Sequence, residues 1–284
     1  MMGGFSADWL ALREPADAAA RSLALTRLVV DAVPPGPVSA VDLATGTGSN
    51  VRFLAPYFPA DQDWLLVDDD ERLLSELRAR LRQSDLTGRV RFHTRRIDLS
   101  DLRAAGIVDG RTLVTASALL DLVSEAWVAT LAAICHRAAA VVLVALTYNG
   151  RLTFSPAEPE DETVRTLVNR HQRTDKGFGP ALGPDAPARA EEHFAHVGYD
   201  VRRAPSDWVL GPEQRDLQQQ LIAGWAEAAT AIEPGNAVHL REWEGRRQAH
   251  VVAGRSRLVV GHDDLAAILR SSLRPWSSSS NMRI

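Results

Sequence analysis

The stretch Val41-Asp42-Leu43-Ala44-Thr45-Gly46-Thr47-Gly48-Ser49-Asn50 decides how the rest of the chain is read. A short apolar run from Val38 to Leu43 gives way to small residues and two glycines, after which Val51, Phe53 and Leu54 take up helical spacing. Strand, tight turn, helix is the opening unit of a nucleotide-binding α/β sheet. Glycine suits the turn because a backbone without Cβ reaches positive φ and lets a ligand press against the chain. The helix that follows offers unpaired N–H groups to a polar ligand.

Two ligand classes use such a turn. The dinucleotide fingerprint G-x-G-x-x-G would need a third glycine where Val51 stands. The chain has instead an acid at the strand end, Asp42, followed by A-x-G-x-G. That pattern resembles the first motif of the class I S-adenosylmethionine-dependent methyltransferases, (D/E)-x-G-x-G-x-G, with Ala44 in place of the first glycine. An acid suits a ligand carrying an ammonium and a sulfonium, and suits a pyrophosphate badly. The resemblance implies S-adenosylmethionine as cofactor, held here by Asp42, Ala44, Thr45, Gly46, Gly48 and Asn50.

Working outward, Asp63 to Val67 reads as a second strand that ends at Asp68-Asp69-Asp70, before a helix with Leu73, Leu74, Leu77 and Leu81 on one face. Asp68 follows Asp42 by 26 residues, one strand–helix–strand step. A carboxylate there can accept from both ribose hydroxyls. Asp69 or Asp70 can cap the helix at the same time. A third strand begins near Gly88 to Phe92, and Asp98-Leu99 after it resembles the family's third motif. The resemblance assigns the Asp98 carboxylate to the adenine amino group and the Leu99 N–H to a ring nitrogen. Thr112 to Ala116 is the fourth strand, and Ala116 and Ser117 at its end lie beside the methyl group in the family. The (N/D)-P-P-(Y/F) signature of methyltransferases acting on amino groups of nucleic acid or glutamine is absent there, which argues against DNA. Asp121 is placed either as a base or as the cap of a helix starting near Ser124. Ala139 to Leu146 is a near-continuous apolar run, as expected of a strand covered on both faces.

Strand units alternating with helices predict an α/β doubly wound, seven-stranded, mostly parallel sheet. Asp42, Asp68, Asp98 and Ser117 all fall at carboxyl ends of strands, where such sheets bind ligands. The predicted organisation is an N-terminal helical segment over 1–37 and a Rossmann-like core over 38–204 that includes a substrate loop at 147–187. A helical insertion over 205–255, a last strand over 256–270 and a disordered tail over 271–284 follow. In the N-terminal helix, with Pro15 read as its first residue, Trp9, Arg13 and Arg21 form a cluster able to meet the methionine carboxylate or the substrate. In the substrate loop a helix from Asp161 to Gln172 groups Asn169, His171 and Gln172 just before the glycine-rich segment holding Lys176, the composition of a closing lid. His171 is read either as a core histidine or as a substrate residue. His171, Asp121 and Tyr148 are the candidate bases, and Asn149, Asn169, Gln172 and Lys176 join the N-terminal cluster as candidate acceptor contacts.

Composition narrows the function further. With 32 basic against 36 acidic residues the chain has a formal charge of −4, so no global positive field draws it to nucleic acid or an anionic membrane. No concentrated basic face with stacking aromatics is present, which disfavours RNA. A lone cysteine, Cys135, fits a reducing cytoplasm. No signal peptide is read at the N-terminus, and the most apolar segment, Ala129 to Leu146, is interrupted by His136 and Arg137 and too short to span a bilayer. The expectation is a cytoplasmic, monomeric or homodimeric enzyme that methylates a small-molecule O or N acceptor by in-line displacement, without a metal. An RNA or protein methyltransferase, or a non-catalytic S-adenosylmethionine-binding module, are the alternatives.

Overall fold

The run Val38–Leu43 forms β1, and its flanks explain why: Pro34, Pro35 and Pro37 forbid helix before it, and the glycine turn ends it. The computed structural model describes residues 6–269 except 85 and 87. Two helices precede the sheet, α1 (Ala7–Ala20) and α2 (Leu23–Ala32). The N-terminus of α1 is set by Ser6, whose hydroxyl accepts from the Trp9 N–H, and Pro15 lies inside the helix rather than at its start. Then come α3 (Ser49–Leu54), β2 (Gln62–Asp68), α4 (Glu71–Gln83), β3 (Val90–Arg96), α5 (Leu102–Ala105), β4 (Leu113–Ser117), α6 (Glu125–Ala138), β5 (Val141–Ser155), α7 (Asp161–Gln172), α8 (Ala186–His196) and β6 (Tyr199–Pro205). A short β7 (Trp208–Leu210), α9 (Arg215–Ile232), α10 (Ala237–Val252) and β8 (Arg257–Leu269) complete the described chain. The predicted tail lies outside the described residues.

The sheet order is β3-β2-β1-β4-β5-β8-β6, with β7 added on β8. β1 to β5 run parallel, and β8 is antiparallel to both β5 and β6. The expected mostly parallel doubly wound sheet is present, with one small extra strand inside the helical insertion. The order reverses between β1 and β4, the point at which open α/β sheets bind ligands. One face of the sheet packs on α6 and α8 through Trp127, Leu131, Phe194 and Tyr199; the other packs on α2, α3 and α4 through Val29, Leu54, Leu74 and Leu77.

β5 is longer than its apolar run. It continues through Thr147-Tyr148-Asn149-Gly150 to Ser155, paired with β8 across two register shifts. Residues 147–155, expected in the substrate loop, are therefore strand. The extension survives its polar residues because bulges re-aim them one by one. At Gly150, φ is +85°, and a Cβ would come within 2.8 Å of Pro184. This extension, with β7, carries a third core in which Trp208, Trp243, Leu217 and Ile222 pack with α7, α9 and α10 and, at its edge, α1. The module sits beside the carboxyl ends of β4 and β5.

Candidate active site

The turn after β1 is held by the acids on either side of it. The Asp42 carboxylate is buried and accepts from Asn50 Nδ2 at 2.6 Å and Thr115 Oγ1 at 2.7 Å through one oxygen. Its other oxygen, Oδ2, has no partner. Burial raises its pKa, and hydrogen bonds from Thr115 and Asn50 pull the other way; the Thr45 hydroxyl is near enough to help without reaching bonding geometry. Asp68 accepts from the Gly46 N–H at 2.8 Å and from the Asp70 N–H at 3.0 Å, so it braces the turn and still has lone pairs to offer. Helix capping of α4 falls to Asp70, which accepts from the Arg72 N–H. Gly46 and Gly48 sit at φ +54° and +83°, and Ala44, at the family's glycine position, is held at +50°. A left-handed L-residue costs about 1–2 kcal/mol. Ala118 after β4 and Leu146 at the first bulge of β5 are held the same way, at +52° and +54°; the other non-glycine residue at positive φ, Ala139, ends α6.

Arg21, between α1 and α2, reaches into this turn. It is 6% exposed, lies 4.6 Å over the Phe53 ring, and donates Nη1 to Asn50 Oδ1 at 2.7 Å. Asp264 of β8 is its counter-ion at 3.7 Å; that carboxylate also accepts from the Ser22 and Leu146 N–H groups, tying α2, the strained Leu146 and Arg21 together. Arg21 Nε and Nη2 have no hydrogen-bond partner. Helix α1 lies over the turn: Leu10 Cδ1 stands 3.0 Å from where a Cβ on Gly46 would be, and Glu14 is clamped by Arg52 of α3. The remaining cofactor candidates range from exposed to buried. Asp98 is exposed and accepts from the Ser100 N–H, Leu99 is buried with its carbonyl bound by Trp127, Asp69 is exposed, Ala116 is buried and Ser117 is half-buried.

Beyond the end of β4, a second polar group forms between α1, β5, β7 and β8. Asp121 is 7% exposed with Oδ1 unpartnered; burial pushes its pKa up to about 6, against smaller pulls from its own and the Tyr148 amides and from Arg13. Ser124, not Asp121, caps α6. Tyr148 donates its hydroxyl to Asn169 Oδ1 at 2.7 Å, and burial together with Asp121 raises its phenol pKa, so it keeps its proton. Its ring stands 6.2 Å edge-on to His262 of β8, which is 6% exposed and tilts 5.0 Å from Trp208. Burial, with Arg13 and Arg151, lowers the His262 pKa to about 3, so it is neutral; Nδ1 has no partner. Arg13 lies 4.9 Å over Trp208 and is paired with Asp17, which also accepts from Trp208 Nε1. Asp121, Tyr148, His262, Trp208 and Arg13 thus close a ring.

The other substrate candidates fall around this ring. Trp9 packs at the edge of the third core, and Asn169 ties α7 to β5 through Tyr148 and the Gly150 carbonyl. Asn149 is bound to Asp263. His171 is half-buried at the end of α7; burial and Lys176 lower its pKa while Glu227 of α9 opposes them, and Gln172 is half-buried beside it. Lys176 donates to Thr174. A groove of about 480 Å³ between Leu12, Pro15 and Ala16 of α1 and Val209, Glu213 and Leu217 is lined by none of the ring's residues.

No family model matches the chain, and no curated protein sequence does. Among solved structures, the cyclopropane synthase MmaA2 from Mycobacterium tuberculosis is similar over 93% of this chain and 94% of its own, at 12% identity and a TM-score of 0.50. The fold is that of the class I S-adenosylmethionine-dependent methyltransferases. A phosphoethanolamine N-methyltransferase from Haemonchus contortus is similar over 94% of this chain and 59% of its own, at 13% identity and a TM-score of 0.46.

Within this methyltransferase fold, sequence reasoning missed Asp17, Trp208, His262 and Asp264. The signal for two of them was present: Gly261-His262-Asp263-Asp264 interrupts an otherwise apolar last strand. A buried polar cluster in a core strand needs partners, and here they come from chain segments more than a hundred residues away. Among the described residues no group of His, Cys, Asp and Glu could hold a metal ion, and no helix is long and apolar enough to cross a membrane.

Proposed function

We propose that the chain is an S-adenosylmethionine-dependent methyltransferase acting on a small-molecule acceptor. The observation that carries this reading is where buried polar atoms lack partners: Arg21 Nε and Nη2, Asp42 Oδ2, and the Thr45 and Thr47 hydroxyls all sit at the turn after β1. Leaving such groups unmade costs roughly 1–3 kcal/mol each. A ligand with an ammonium and a carboxylate fits them, the ammonium on Asp42 and the carboxylate on the Arg21 guanidinium, whose Nη2 has neither a hydrogen bond nor an ion pair and whose Nε faces Asp264 only at 3.7 Å. Asp68 then takes the ribose hydroxyls, and Asp98 with the Leu99 N–H the adenine edge.

S-adenosylmethionine supplies an electrophilic methyl carbon on a sulfonium, open to in-line displacement. The chain's part is to orient the two reactants and match their charges. Of the candidate bases, Asp121 is the best placed: it lies beyond β4, next to β1 in the sheet, with a free oxygen and a pKa nearer neutrality than an ordinary carboxylate. Tyr148 serves as a hydrogen-bond donor. His171 belongs to the outer wall on α7 with Gln172 and Lys176.

Titration calorimetry with S-adenosylhomocysteine and with NADH tests the reading. We expect micromolar binding of S-adenosylhomocysteine and none of NADH. The reverse result would overturn it.

A further inference from the structure

The buried charges on the acceptor side do not cancel. Arg13 is taken by Asp17, and Arg21 faces Asp264 and, in the reading above, the cofactor's carboxylate. Asp42, in the reading above, meets the cofactor's ammonium. That leaves Asp121 as a buried carboxylate whose nearest cation, Arg13, is already paired with Asp17; one of its oxygens is free, and it lies beside Tyr148, whose ring meets His262 and, through it, Trp208. A buried carboxylate is stable as an ion only when paired. Aromatic faces and a neutral imidazole add attraction for a cation without adding repulsion.

We propose that the acceptor is a small amine which enters as its ammonium ion and pairs with Asp121, inside the ring formed by Tyr148, His262 and Trp208. This rests on the methyltransferase reading and extends it to a substrate class. An alcohol brings no charge to balance Asp121, and a carboxylate or phosphate adds a second negative charge beside it. His262 meets the ammonium as an uncharged ring whose free Nδ1 accepts an N–H. Asp121 also balances the chemistry. The ammonium hands one proton to the Asp121 carboxylate, which frees the nitrogen lone pair. The N–C bond to the methyl carbon forms as the C–S bond breaks, and that electron pair goes to sulfur. The product leaves as a methylammonium ion, and Asp121 gives its proton to water.

The test uses the full chain saturated with S-adenosylhomocysteine and three probes of nearly one shape: 2-phenylethylamine, 2-phenylethanol and 3-phenylpropanoate, with ethylamine, ethanol and propanoate as a smaller set. The proposal expects the amine to bind roughly tenfold to a hundredfold more tightly than its alcohol and carboxylate in at least one set. Asp121→Asn should remove that preference while S-adenosylhomocysteine still binds. Amines that bind no better than their alcohols in both sets, or an amine preference that survives Asp121→Asn, overturn the proposal. If the variant does not fold, the wild-type ranking decides by itself. Failure of S-adenosylhomocysteine to bind the wild type counts instead against the methyltransferase reading.

Discussion

Two buried arginines, Arg247 and Arg21, are held in very different ways in one molecule. Arg247 of α10, at 0% exposed, spends its guanidinium on the Asp161 carboxylate and the Pro156 carbonyl and stacks 4.7 Å from Phe154. Nothing is left over. Arg21 is nearly as buried and stacks as closely on Phe53, but two of its nitrogens make no hydrogen bond and its counter-ion stands 3.7 Å from one of them, Nε. Folding alone does not explain an arginine held that way, because a buried donor without a partner is a cost. In the helical module Arg247 and Asp161 satisfy each other, and the unpartnered atoms there, such as Gln218 Oε1 and Gln248 Oε1, are scattered and neutral; at the turn after β1 they gather, and a buried cation and a buried carboxylate are among them. That clustering of unpartnered charged groups is the ground for the ligand site proposed above.

The contrast can be broken most sharply at Arg247. Replacing it by Met strands the Asp161 carboxylate and should cost about 3–5 kcal/mol, read as a large fall in the urea midpoint, with cofactor affinity per folded molecule unchanged. Loss of affinity without loss of stability would show that the module is not structural.

The acceptor ring should reveal itself in pH. The Asp121 carboxyl titrates near 6 in the folded protein against an ordinary 3.8. Below 3.8 it is protonated folded or unfolded and has no effect; as pH rises to 6 the unfolded chain ionises first and stability falls, by about 3 kcal/mol in all. Asp121→Asn should therefore stabilise the ligand-free protein at pH 7, with the gain gone by pH 4. His262 acts in the opposite sense. Its folded pKa is depressed from 6.5 to about 3, so its stabilising contribution is present above pH 6.5 and is lost as pH falls toward 3. His262→Gln should flatten the acid side of the curve that Asp121→Asn steepens. Urea melts at pH 4, 5.5 and 7 check both signs; identical profiles for the two variants would dissolve the ring as a unit.

The smallest effect is expected at His171, whose charged neighbours are Lys176 and Glu227. His171→Ala should change turnover by less than about threefold. A larger loss, with unchanged melting, would move the acceptor toward α7.

These two regions also differ in how far they could be read from sequence. The doubly wound sheet was legible because each strand–turn–helix unit is local: Val38–Leu43 with its glycines, Gln62–Asp68 with Asp70 as cap, and the apolar run into β5 each declare themselves within twenty or so residues. The Asp42 and Asp68 positions followed from that locality. The acceptor ring was not legible as a unit. Arg13, Asp121, Tyr148 and His262 come from α1, the end of β4, β5 and β8, and meet only because β5 and β8 continue past their apolar runs across two bulges. Polar residues such as Asn149 and Gly150 read as loop when the bulges that accommodate them are invisible. Arg21 was singled out with Trp9 and Arg13 in the N-terminal helical segment, but not its burial or the hydrogen bonds it lacks.

In the proposed function, the Arg21 nitrogens that make no hydrogen bond are kept for the cofactor's carboxylate. Calorimetric titration of S-adenosylhomocysteine into wild type and Arg21→Met, with the melting temperature of each preparation, tests it most directly. Affinity per folded molecule should be lower by roughly tenfold to a hundredfold in the variant, beyond any fall in melting temperature from removing the counter-ion of Asp264, which keeps the Ser22 and Leu146 N–H groups as partners. Equal affinities, with the variant unstable, would make Arg21 another Arg247 and contradict the claim.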